Sequence, residues 1–143
     1  MAAAAIITRD EVSAVYPKVA QAIADALARE IEECKLTSRI INDLGAESID
    51  LLDIVFRLER AFKIKIPRNR ITKDARGELS EAEFERKGVV TEAGRKRLEE
   101  YLSEVPREYF PASLRMDDIL RLFTVETFCK VVVRALNEQG PPA

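Results

Sequence analysis

Val12, Val15, Val19, Ile23, Leu27 and Ile31 recur at steps of three and four, which places them on one stripe of a helix. No stretch of the chain alternates convincingly at period two, so an all-α fold is expected. Thr8 and Glu11 form a T-x-x-E capping box ahead of that first stripe. Pro17 lies within it and is expected to break the helix, because proline removes a backbone donor and crowds the preceding turn. Beyond Cys34, Leu36, Ile40, Ile41 and Leu44 should pin a linker against the helices. Ser48 then reads as the N-cap of a helix running to about Lys63, with Asp50 adding negative charge where the helix dipole favours it. Near the end, Thr124 should cap a helix from Val125 that buries Val125, Phe128, Val132 and Leu136. Just ahead, "SLRMDDILRLF" predicts one short helix. Between these parts, Ser80 with Glu83 and then Thr91 are cap signals for two further helices. The first, "EAEFERK", should stop at Gly88, and the second carries Leu98, Tyr101, Leu102 and Val105 on its apolar side.

At 143 residues the chain supports one core and is short for two ordinary domains, so a single domain over residues 1–143 is expected. Its 23 basic and 25 acidic residues nearly cancel, which leaves no overall field for nucleic acid or an anionic membrane. A local run of Lys63, Lys65, Arg68, Arg70, Lys73 and Arg76 lacks interleaved aromatic residues for base stacking. No nucleic-acid partner is expected. Cys34 and Cys129 fit neither a disulfide framework nor, in a chain without histidine, a metal-ligand cluster. No metal is expected, and a reducing cytoplasm suits both thiols. The opening "MAAAAII" is too short for a membrane span and has no basic residues ahead of it, so no integral membrane segment is expected.

The helix that begins at Ser48 carries apolar residues on two sides. Leu51, Ile54, Val55, Leu58 and Phe62 form an inward face. Ile49, Leu52 and Phe56 lie on another, beside Asp53, Arg57 and Arg60. Periodicity alone favours burial of the second stripe against the helices of the middle region, since such stripes are usually core. A surface that docks a partner is the competing explanation. Ser48, at its leading end, cannot be a conventional hydrolase nucleophile, for that chemistry needs a base beside the hydroxyl, usually histidine, and no glycine-flanked serine elbow occurs.

The stretch "DLGAESIDLLDIVFRLERAFKIKIP", residues 43–67, resembles the signature of acyl carrier proteins. It has a Leu-Gly, a small residue, an acid, a serine, an aliphatic residue, an acid, and an amphipathic helix ending Glu-x-x-Phe-x-Ile-x-Ile-Pro. Similarity extends loosely over the first helix and linker, and "FTVETFCKVVVRAL" resembles the family's last helix. The resemblance implies a four-helix bundle, with residues 68–116 as a helical insertion before the third and fourth carrier helices. It also implies that a phosphopantetheinyl transferase attaches 4'-phosphopantetheine covalently to Ser48, and that the arm's thiol carries acyl groups as thioesters. Such a protein is a carrier acted on by other enzymes and has no catalytic residues of its own.

The resemblance further implies partners among acyl-activating, condensing or acyl-transfer enzymes, docking on Glu47, Ile49, Asp53, Phe56, Arg57 and Arg60, and a monomer is expected. An acyl-chain pocket would be lined from among Leu51, Ile54, Leu58, Phe62, Phe123, Phe128 and Val132. Glu47 and Ile49 stand where the family usually has aspartate and leucine, both conservative changes. Arg57, Arg60 and Lys63 offset Asp53 and Glu59 on a helix that is commonly strongly acidic. That departure implies dedicated enzymes in specialised fatty-acid, lipid or polyketide-type biosynthesis. A peptidyl or aminoacyl carrier uses the same fold and arm, and an unmodified helical interaction protein is the alternative of another class.

Overall fold

The computed structural model describes residues 7–67 and 70–139. The first six residues of the apolar opening, Arg68, and the side chain of Arg70 lie outside the described residues, as does the start of the expected 68–116 segment. The elements are α1 (Arg9–Leu27), α2 (Ser48–Phe62), α3 (Arg70–Arg76), α4 (Glu81–Phe84), the two-residue strands β1 (Glu85–Arg86) and β2 (Val89–Val90), α5 (Glu92–Tyr101) and α6 (Val125–Gln139). The fold is all-α apart from that small hairpin. Among the described residues no helix is long and apolar enough to cross a membrane.

The Thr8 hydroxyl accepts from the Glu11 N–H at 3.1 Å and the Glu11 carboxylate accepts from the Thr8 N–H at 3.0 Å, closing the start of α1 as the sequence predicts. The break at Pro17 does not occur, and α1 continues through it. Ser13, whose carbonyl cannot receive a bond from Pro17, and Pro17 are both exposed, where water can serve the backbone that proline leaves without its usual partner. The buried stripe of Val12, Val15, Val19 and Ile23 holds the two halves on one axis, with α1 packed chiefly on α6 and α2.

The linker is anchored by Ile40 and Leu44, both buried, and by backbone bonds that span the sequence. Phe123 O accepts from the Ile40 N–H at 2.9 Å, Ser38 O from the Val125 N–H at 3.0 Å and Leu36 O from the Glu126 N–H at 3.0 Å. Thr124 caps α6 and is capped in return: the Thr127 N–H donates to Thr124 Oγ1 at 3.2 Å and the Thr124 N–H to Thr127 Oγ1 at 3.0 Å.

Besides α3, for which no helix is expected, and α5, which ends at Tyr101 ahead of Leu102 and Val105, the chain departs from expectation in two further places. The helix predicted over "EAEFERK" ends at Phe84, since Glu85 is extended and Lys87 and Gly88 take positive φ of 54° and 80° to close the hairpin. Phe84 O is engaged by the Thr91 N–H at 2.9 Å, and a Cβ on Gly94 would stand 2.3 Å from that same oxygen. Only glycine lets α5 approach so closely. The second departure is "SLRMDDILRLF", which forms two 3₁₀ turns, Met116–Asp118 and Leu120–Leu122, in place of one helix. Its ends are already committed: Leu114 O accepts from the Val90 N–H at 2.7 Å, Gly88 O accepts from the Met116 N–H at 2.9 Å, and Phe123 pairs with Ile40. Those ties fix both ends of the segment, and between them the chain closes i to i+3 backbone bonds, Asp118 N–H to Arg115 O at 2.9 Å and Leu122 N–H to Ile119 O at 3.0 Å.

Leu98, Leu102, Val105, Phe110 and Leu114 are buried in the same core as the long helices. On α6, the Arg134 guanidinium lies 4.4 Å from the Tyr101 ring centre, and Lys130 Nζ meets Glu104 Oε1 at 2.9 Å. The middle region thus leans on α6, away from the outer face of α2.

Candidate functional site: a serine at the start of a two-sided helix

Gly45, at φ +78°, turns the chain between the buried Leu44 and the buried Ala46, and α2 begins two residues later. Its N-cap is Glu47, extended at φ −101° and ψ 168°, not Ser48 as the sequence predicts. The Glu47 N–H donates to Asp50 Oδ2 at 2.8 Å, and this reach-back by the acid starts the helix one residue early. Ser48 is therefore the first helical residue, exposed, and the capping is carried by its neighbours. Its hydroxyl stands in water beside the amides of a helix N-terminus, where a phosphate group is favoured.

Leu51, Ile54 and Leu58 are buried, while Ile49 and Phe56 are 73% and 49% exposed. Leu52, the third residue of the second stripe, is half-buried, but the middle region leaves Ile49 and Phe56 uncovered, so the burial that periodicity favours is not realised at those two. Beside the stripe, Arg57 Nε pairs with Asp53 Oδ1 at 3.2 Å. Glu59 turns away and accepts from the Ile66 N–H at 2.7 Å. Arg60 and Lys63 are exposed at the far end.

The seven residues expected around an acyl chain all lie in or against the one hydrophobic core. Leu51, Ile54, Leu58, Phe123, Phe128 and Val132 are buried and Phe62 is half-buried against them. Phe123 and Phe128 meet edge to face at 5.9 Å, and Lys18 Nζ sits 5.6 Å from the Phe62 ring centre. A shallow cleft opens elsewhere, between Ile66, Tyr101 and Arg134, and none of the seven lines it.

Cys34 and Cys129 are fully buried and unbridged. Burial pushes the Cys129 thiol up to about 12, with Glu126 adding to the effect, and burial raises Cys34 as well. Among the described residues no group of histidine, cysteine, aspartate or glutamate could hold a metal ion.

A helical bundle that presents an exposed serine at the head of a long helix, with an uncovered apolar ridge behind it, is built like a carrier. The family described as "phosphopantetheine attachment site" matches residues 17–75. The acyl carrier protein AcpXL of Rhizobium meliloti (strain 1021) is 40% identical over 74 residues, covering 51% of this chain and 78% of that protein. An acyl carrier protein of Clostridium acetobutylicum is 42% identical over 53 residues, covering 37% of this chain and 69% of that protein. No solved structure gives a significant match. The chain belongs to the acyl carrier protein family, whose cofactor is 4'-phosphopantetheine. An exposed hydroxyl at a helix N-terminus fits that phosphate-linked group.

Proposed function

We propose that Ser48 is the single attachment residue for 4'-phosphopantetheine and that the protein carries acyl intermediates on the arm's thiol without catalysing a reaction itself. The observation that supports this is the exposure of Ser48 at the first turn of α2 inside the matched region. A flexible tether lets one cargo visit several active sites at high effective concentration, so the carrier needs only to present a hydroxyl and an address. Partners are a phosphopantetheinyl transferase and acyl-activating, condensing or acyl-transfer enzymes, met by a cytoplasmic monomer at Glu47, Ile49, Asp53, Phe56, Arg57 and Arg60. The seven core residues shelter the acyl chain when the bundle opens to admit it. Residues 68–116 form an insertion within a single carrier domain, and with the basic end of α2 they mark a carrier for specialised lipid or polyketide-type synthesis. The relatives' printed names favour an acyl cargo over an aminoacyl or peptidyl one.

Expression beside a broad-specificity phosphopantetheinyl transferase, followed by intact mass, tests the attachment. The wild type should gain one phosphopantetheine and Ser48→Ala none. Because Ser48 does not cap the helix, the alanine variant should unfold within about 0.5 kcal/mol of the wild type. A mass increment on Ser48→Ala would overturn the assignment.

A further inference from the structure

The exposed face of α2 is electrically graded along its length. At the serine end stand Glu47, exposed, and Asp50, half-buried. In the middle, the Asp53–Arg57 pair is internally neutralised between the exposed apolar residues Ile49 and Phe56. At the far end the half-buried Glu59 is turned onto the Ile66 N–H, while Arg60 and Lys63 are exposed, so two outward cations outnumber one inward-turned carboxylate there. At 1.5 Å per residue, Arg60 lies about 18 Å along the axis from Ser48. At 100° per residue, Ile49, Phe56 and Arg60 fall within about 40° of one another, so they form one ridge.

We infer that this ridge docks in one direction, onto enzymes that place cations beside the mouth receiving the arm and carboxylates, with an apolar depression, about 18 Å away. The inference rests on Ser48 as the attachment point and adds the chemistry of the partner's surface. Complementary charge at both ends steers encounter and fixes register more than it adds affinity. A competing origin exists for the same pattern, since acids at a helix start and cations at its end also favour the helix dipole. That origin would make the gradient a matter of folding alone and indifferent to the partner.

The two are separated with the full-length protein carrying an electrophilic pantetheine arm that traps a condensing enzyme's active-site cysteine. The probe is one condensing enzyme in two forms, with lysines on its docking rim or with the distal rim lysines changed to glutamate. The wild-type carrier should cross-link about tenfold faster to the glutamate form, and added NaCl should erase the preference. Arg60→Glu with Lys63→Glu should reverse the order, and Arg60→Gln with Lys63→Gln, the milder variant for folding, should abolish it. A loaded carrier that prefers the lysine form, or whose preference survives both double variants, overturns the docking inference and leaves attachment standing. A carrier that cannot be loaded at Ser48, as read by intact mass, overturns the attachment and the docking inference together.

Discussion

Ser48 differs from the chain's two thiols in where it stands. Cys34 and Cys129 are fully enclosed, and with its thiol held near 12 Cys129 has almost no thiolate at neutral pH, the form that reacts. A thiol reagent at pH 8 should therefore find no fast-reacting group in the folded, unmodified protein. After loading it should find one, the arm's own. Denaturant should expose two cysteines before loading, and three thiols after it. A fast thiol in the folded, unmodified protein would show that one of the cysteines is open. Ser48 was legible in the sequence because its motif is local, a serine between two acids at the head of an amphipathic run. Its exact helical position was not, since Asp50 competes for the Glu47 N–H that settles where α2 begins.

Elements whose ends are closed by near neighbours were readable, and those shaped by distant backbone were not. Thr8 with Glu11, Ser80 with Glu83, Thr91, and Thr124 each announce a helix start within four residues. The continuation of α1 through Pro17 depends on α2 and α6 packing along it. The hairpin at 85–90 and the 3₁₀ turns at 116–122 depend on bonds to segments far away in sequence. One such distant tie is energetically exposed to test: Glu104, its side chain 1% exposed, holds Lys130 at 2.9 Å and accepts from Thr127 Oγ1 at 2.6 Å. Lys130→Met strands that buried carboxylate and should cost about 3 kcal/mol in urea unfolding. Adding Glu104→Leu removes the stranded charge and should recover most of the loss. If Lys130→Met proves neutral, the pair is solvated and does not fasten the middle region to α6.

At the scale of the molecule, only the family resemblance pointed to an open surface. The bareness of the α2 ridge could not be read from periodicity, which favours burial, because it follows from where the middle region packs. That region leans on α6, leaving Ile49 and Phe56 uncovered. The cargo question is also molecular, since Ile54, Leu58, Phe128 and Val132 are fully or almost fully buried and an acyl chain can enter only if helices part. Replacing a bare arm thiol by a long acyl thioester should shift amide resonances across those residues, whereas shifts confined to the neighbourhood of Ser48 would place the chain outside. The loop leading to Ser48 is held by the last third of the chain: Arg39 bridges to Thr124, its guanidinium lies 4.2 Å from the Tyr109 ring centre, and Ile40 bonds to Phe123. A chain emerging from the ribosome lacks the Tyr109 contact until that residue is made, and the ties to Phe123 and Thr124 until those follow, so the serine's setting is completed long after the serine itself has been synthesised.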